Sequence, residues 1–293
     1  MSVLLTGCSG QLGRCIQEEL GMLEIPFHAL TKKQLSIDDP NQVNDIFNKL
    51  QPSIVINAAA YTNVDQAENE AKKAFKVNGE GPKILSLACN RMKIPLVHIS
   101  TDFVFDGISK KSYLPSDIPN PISIYGQSKL QGETYIINTC NQFYIIRTSW
   151  VFSNYGSNFF KTVLELSRTK DEFSIVNDQI GCPTFAKDLA KAIVVNLDIF
   201  QSGQYANTVY HYSGDEFCSW FNFAEYISKK AYQHGYILNL PNIKPIKSEE
   251  YKSAIAIRPK FSALDSSNFC ELFNVSKSDW RSAVDSTIRK LCF

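Results

Sequence analysis

The chain has 293 residues, 44% hydrophobic and 20% charged, a globular balance with room for one large α/β domain or a main domain and a smaller one. Thirty basic residues face 29 acidic ones, and a net charge of +1 leaves no field to draw in nucleic acid or an anionic membrane. No apolar run approaches the roughly 20 residues of a membrane span, and the eight cysteines show neither Cys-x-x-Cys pairs nor finger spacing, which points to idle thiols in a reducing cytoplasm.

Val3–Leu5 reads as a strand at the very start, which predicts that no signal segment precedes the fold. A helix follows over about Gln11–Leu20, then a strand at Phe27–Leu30. Asp39-Pro40 opens a helix carrying Val43, Ile46, Phe47 and Leu50, because proline is favoured in a first turn. Ile54–Asn57 is a third strand, inside an apolar run suited to burial on both faces. A long helix is expected from about Ala67 to Asn90, then a fourth strand at Leu96–Ile99. A proline-rich loop at 113–122 leads to a helix over about Ile124–Asn138 and a fifth strand at Tyr144–Arg147. This alternation predicts a doubly wound parallel sheet of Rossmann type. Past Trp150 the alternation loosens, with helices near Phe159–Leu166, Ala186–Leu197 and Trp220–Ala231 and short strands at Phe173–Val176 and Val209–Tyr212. Residues 1–150 are expected to bind a dinucleotide and 151–293 to form mainly a smaller substrate-binding domain, with the stretch near 186–215 rejoining the first.

Several segments carry chemistry. Gly7, Gly10 and Gly13 fall between the first strand and the first helix, where glycine permits a tight turn and a close backbone approach to a pyrophosphate. The helix that opens at Gln11 and Leu12 then offers free N–H groups to phosphate. After the second strand stands Thr31-Lys32-Lys33, with no carboxylate to hold a ribose diol; Lys32 suits a 2′-phosphate, which favours NADPH over NADH. Tyr125 and Lys129 are four apart on a helix and share a face. There the ammonium is expected to draw the phenol pKa down, so that Tyr125 can protonate an alkoxide as a carbonyl is reduced. Ser100-Thr101-Asp102 ends the fourth strand, where open α/β sheets bind ligands, and the Thr101 hydroxyl can hold a substrate oxygen.

In this order the segments resemble the extended short-chain dehydrogenase/reductases, and within them the dTDP-4-dehydrorhamnose reductase family. The likeness runs through Gly10-Gln11-Leu12-Gly13, Asn57 to Thr62 with Val64-Asp65 and Ala67-Glu68, and Ser100 to Gly107. It continues through Tyr125-Gly126, Lys129, Gly132-Glu133 and Arg147 to Phe152, then Asp178 to Gly181, Pro183-Thr184 and Arg258-Pro259 with Leu264-Asp265. The resemblance implies NAD(P)H-dependent reduction of the C4 ketone of dTDP-4-dehydro-β-L-rhamnose to dTDP-L-rhamnose. It makes Tyr125 the proton donor, Lys129 its modulator and a ribose ligand, and Thr101 the hydroxyl at the C4 oxygen. Ala60, Tyr61 and Thr62 would line the nicotinamide side, Ser36 and Ile37 the adenosine, and Thr101, Asp102 and Trp150 the sugar.

Departures from the family pattern matter. Leu35-Ser36-Ile37 stands where the family usually has Leu-Asp-Ile, which alters an adenosine contact, and Phe103 replaces a tyrosine. Some members hold Mg²⁺ through carboxylates near the first helix and the C-terminus; Arg14-Cys15 and the tail Arg289 to Phe293 do not reproduce them, so no metal is expected. A homodimer is left open. Three other readings compete: a reductase of a different nucleotide-linked keto sugar, a non-catalytic NADP-binding subunit like that of methionine adenosyltransferase, and an epimerase or dehydratase. Dehydratases usually carry an Asp-Glu pair where this chain has Asp102-Phe103.

Overall fold

A computed structural model describes residues 1–292; Phe293, the last residue of the expected substrate unit, lies outside them. Every residue of strands β1 (Val3–Thr6), β3 (Ile54–Asn57) and β5 (Phe143–Thr148) is buried, as unbroken apolar runs require of a sheet covered on both faces. The other strands are β2 (Phe27–Leu30), β4 (Leu96–Thr101), β6 (Val151–Phe152), β7 (Glu172–Val176), β8 (Ile180–Gly181), β9 (Thr184–Phe185), β10 (Thr208–His211), β11 (Cys218–Ser219) and β12 (Asn242–Ile246). The helices begin with α1 (Gln11–Met22), α2 (Pro40–Leu50), α3 (Val64–Asn69), α4 (Ala71–Phe75), α5 (Gly81–Met92) and α6 (Ile124–Thr139). They continue with α7 (Phe159–Thr169), α8 (Ala186–Val194), α9 (Leu197–Ser202), α10 (Trp220–Gln233), α11 (Ser267–Leu272) and α12 (Trp280–Leu291).

Six strands form one parallel sheet in the order β10-β5-β4-β3-β1-β2, which is the doubly wound architecture expected. Ile16 and Leu20 of α1 and Leu189 and Ile193 of α8 cover one face. Val43 and Phe47 of α2, Leu85 of α5 and Ile136 of α6 cover the other. A further core joins Phe160 of α7, Phe223 of α10 and Trp280 and Val284 of α12, beside the two-stranded ladders β11-β8, β12-β7 and β6-β9.

The single helix expected over 67–90 is instead broken into α3, α4, a π-helical turn at Lys76–Glu80 and α5. Pro82 has no N–H for the Asn78 carbonyl, so the helical ladder slips at that point. The slip has a use. Asn78 Oδ1 accepts from the Tyr61 N–H at 2.8 Å, and its Nδ2 donates to the Tyr61 carbonyl and to Ser128 Oγ, each at 3.0 Å. Asn78 thereby ties the loop after β3 to α6.

Helix α6 is pinned to the sheet by charge. Arg147 on β5 donates to both Glu133 oxygens, with Nη2 to Oε2 at 2.6 Å and Nε to Oε1 at 3.0 Å. Ser100 at the end of β4 adds a hydrogen bond to the same carboxylate at 2.5 Å. Both charged side chains are almost fully buried. Removing one partner of such a pair strands the other charge in the core, so Glu133→Ala should lose about 3–5 kcal/mol of stability, read from urea unfolding.

Candidate active site

A cavity of about 830 Å³ opens along the carboxyl ends of the central strands. It lies over β1 and β3, where the strand order reverses and the loops diverge to leave a crevice.

The glycine loop after β1 shows three different reasons for glycine. Gly7 has φ +69°, and a Cβ there would sit 2.5 Å from the Ala58 and Ala59 backbone. A Cβ on Gly13 would overlap the Gly7 carbonyl, so that glycine serves the contact of α1 with the loop. Gly10 is the N-cap of α1, where a Cβ would come within 3.3 Å of the Gly7 carbonyl oxygen. No side chain caps α1, and Gly10, Gln11, Leu12 and Gly13 all line the cavity. Its first N–H groups are therefore available to an anion, and this donor set fits a dinucleotide pyrophosphate. The Gln11 side chain is engaged elsewhere: its Oε1 accepts from Ser153 Oγ at 2.9 Å and Asn158 Nδ2 at 2.7 Å, bracing the loop after β6.

At the far end, Thr31, Lys32, Ser36 and Ile37 line the cavity. Sequence reasoning found no carboxylate here, and the structure supplies one. Asp38 lines the cavity and accepts from Ser36 Oγ at 2.5 Å, with Lys76 Nζ 3.4 Å away. The spacing Ser36-x-Asp38 was the available signal. Ala60, Tyr61 and Thr62 also line the cavity, in the loop that Asn78 braces.

Tyr125, Lys129 and Thr101 come together in the same cavity. Ser123 caps α6 by accepting from the Gly126 N–H at 3.2 Å, which places Tyr125 in the first turn. A side chain on Gly126 would overlap the Phe103 carbonyl, so α6 packs directly against the turn that follows Thr101. The Phe103 ring meets that of Tyr125 edge-on at 5.5 Å. Thr101 Oγ1 accepts from the Phe103 N–H and donates to Asp102 Oδ1, both at 3.2 Å.

The protonation balance differs from the sequence expectation. Burial pushes the Tyr125 phenol up to about 12, opposed by the Thr101 hydroxyl and reinforced by Asp102. Lys129 Nζ is turned to the Ile99 carbonyl at 2.7 Å, with His98 Nε2 at 3.3 Å, and burial pushes its pKa down to about 8 while Glu133 resists. Burial and the Lys129 charge hold His98 well below its usual range, so the imidazole is neutral. Tyr125 is thus held as the phenol, the form that can donate a proton.

The cavity is also lined by Asp102, Trp150 and two residues to which sequence reasoning gave no role. Trp220 stacks on Trp150, and Arg258 donates to Asp65 Oδ2 at 2.7 Å. Asp65 Oδ1 also accepts from the Ile255 and Ala256 N–H groups, which ties that loop to α3 beside the cavity. The nearby pair Arg258-Pro259 was visible in the sequence, but its partner across the chain was not.

The sheet, the glycine loop and the tyrosine–lysine helix around one cavity define a class, the extended short-chain dehydrogenase/reductases. The chain belongs to the RmlD substrate binding domain family, which matches residues 1–293. It is similar to a dTDP-4-dehydrorhamnose reductase of Aggregatibacter actinomycetemcomitans, with 37% identity over 96% of each chain. The spore coat polysaccharide biosynthesis protein SpsK of Bacillus subtilis is 40% identical over 96% of this chain and 95% of its own. Among solved structures, a dTDP-4-dehydrorhamnose reductase from Bacillus anthracis in complex with NADP superposes with a TM-score of 0.88, at 36% identity over 99% of each chain. Among the described residues no cluster of acidic, histidine or cysteine side chains could hold a metal, and no helix is long and apolar enough to cross a membrane.

Asp102 yields a stability prediction. Burial pushes its carboxyl from 3.8 up to about 6, against the hydrogen bond from the Thr101 hydroxyl. A carboxyl whose folded pKa exceeds its unfolded value binds more protons when folded, so stability falls as pH rises from about 4 to 6. Asp102→Asn should therefore be more stable than the parent at pH 7 by roughly 2 kcal/mol and lose that advantage near pH 4, in urea unfolding at the two pH values.

Proposed function

We propose that this chain is an NADPH-dependent dTDP-4-dehydrorhamnose reductase that converts the C4 ketone of dTDP-4-dehydro-β-L-rhamnose to the alcohol of dTDP-L-rhamnose, in the cytoplasm. One observation carries the reading. Tyr125, Lys129 and Thr101 line a single cavity with the glycine loop at the start of α1 and the stacked pair Trp150 and Trp220. In this reading residues 1–150 bind the cofactor and the remainder mainly the sugar nucleotide. Gly7, Gly10, Gln11, Leu12 and Gly13 hold the pyrophosphate, and Lys32, Ser36 and Ile37 the adenosine end. Ala60, Tyr61 and Thr62 border the nicotinamide.

Reduced nicotinamide, when bound, supplies the hydride for the ketone carbon. The chain must then neutralise charge developing on the C4 oxygen. Tyr125 gives that oxygen its proton. Thr101 donates a neutral hydrogen bond to the same atom, and Lys129 contributes positive charge from one helical turn away and holds a ribose hydroxyl. Asp102 and Trp150 orient the sugar. The neighbour at Asp102 is Phe103, not a second acid, which disfavours a dehydratase.

A coupled assay tests the reading: dTDP-glucose with the upstream dehydratase and epimerase, then this protein with NADPH, and identification of the sugar formed. Consumption of NADPH only with the keto sugar nucleotide is the expected result. A folded protein that binds NADPH and reduces no keto sugar nucleotide would instead be a binding subunit.

The three site residues should differ in their effects. General acid catalysis is worth roughly 10²–10⁴ in rate, so Tyr125→Phe should lose about that much turnover while keeping NADPH affinity. Lys129→Ala should lose turnover and weaken NADPH together, and Thr101→Val should cost least. Steady-state kinetics with NADPH titrations decide it, and near-normal turnover in Tyr125→Phe would remove the donor. For the cofactor, NADPH should bind at least as well as NADH, and Lys32→Ala should narrow the difference. A strong NADH preference untouched by that change would oppose the role of Lys32.

A further inference from the structure

Trp150 has φ +46°, a left-handed backbone that bulky side chains rarely adopt. Strain of this kind persists only where the surroundings hold the residue in place. Two neighbours do so. The indole lies flat on that of Trp220, with ring centroids 3.4 Å apart and planes within 4°. At its edge is Gly181, where a Cβ would overlap the Trp150 ring.

Both neighbours are carried by one small ladder. Strand β11 pairs antiparallel with β8, so that Cys218 faces Gly181 and Ser219 faces Ile180, and α10 starts at Trp220 immediately afterwards. Ser219 sets that start: its Oγ accepts from the Asn222 N–H at 3.0 Å and donates to Asn177 Oδ1 at 2.6 Å. Phe159 backs Trp220 at 4.4 Å. Both indoles line the cavity, and both stay only partly buried.

We propose that Trp220 is a positioning residue: it holds the Trp150 indole in its disfavoured conformation as the flat apolar wall against which the deoxysugar ring is set for Tyr125. This rests on the sugar-reductase reading above. In the same reading the cofactor side is built on the glycine loop, Ala60 and Lys129. Losing Trp220 should therefore loosen the sugar and spare the cofactor.

The test compares Trp220→Leu, Trp220→Tyr and Gly181→Ala with the parent, by kinetics with dTDP-4-dehydrorhamnose and NADPH and by near-ultraviolet circular dichroism. Trp220→Leu should raise the KM of the sugar nucleotide about tenfold, the scale of a lost aromatic pair, with far smaller changes in kcat and in the KM of NADPH. Trp220→Tyr should restore most of the loss. Gly181→Ala keeps Trp220 but crowds Trp150 from its edge, and should reproduce the selective rise even if Trp220→Leu fails to fold. An unchanged sugar KM in folded Trp220→Leu or Gly181→Ala, or an equal rise for NADPH, overturns the proposal. If the parent reduces no keto sugar nucleotide, the functional reading fails separately, and dichroism decides the seat. A coupled indole signal altered in Gly181→Ala supports it, and an unaltered signal overturns it.

Discussion

The buried contact of Glu133 with Arg147 and Ser100 is the constraint on which the rest of the site depends. It fixes α6 against the ends of β4 and β5. From that position Tyr125 and Lys129, on the same helix, reach the cavity. Small residues let the helix come close enough. Side chains on Gly126 and Gly132 would overlap the Phe103 and Asn78 carbonyls. Charge attraction in a dry interior and the absence of two side chains thus act together on one docking geometry.

Dryness also sets the protonation states. Burial raises Tyr125 and lowers Lys129, so both groups are driven toward their neutral forms. Tyr125 is thereby kept as the phenol, which can donate a proton where a phenolate cannot. The Ile99 carbonyl at 2.7 Å gives the lysine a fixed hydrogen-bond acceptor that water would otherwise supply. Asp102 pays for the same dryness with a carboxyl raised to about 6 and one oxygen left without a partner.

The cavity is assembled from distant parts of the chain. Loops after β1, β3, β4 and β5 converge because a parallel sheet brings all its carboxyl ends to one side. Residues of the later half complete its lining. Trp220 arrives through the β11-β8 ladder, and Arg258 through a loop anchored on Asp65. Gln11 links the two halves, since it starts α1 and braces the loop at Ser153 and Asn158. A change in the later half can in this way reach the start of α1 that lines the cavity.

By itself the sequence determined the central sheet, because buried strands and amphipathic helices repeat with periods that local chemistry sets. It also placed Tyr125 and Lys129 on one helical face, since that spacing follows from helix geometry alone. All of the residues expected in the site line the cavity. The break in the helix over 67–90 was half-visible in Gly81-Pro82, but its purpose lay in Tyr61 and Ser128, which Asn78 reaches only in the fold. The net direction of the Tyr125 shift was hidden for a similar reason. Spacing shows that two groups are near, but burial decides which form each prefers, and burial belongs to the whole packed molecule. Only tertiary structure could pair Trp150 with Trp220 or Asp65 with Arg258. Contacts between distant segments leave no periodic trace in a single chain, because they are set by how finished elements dock.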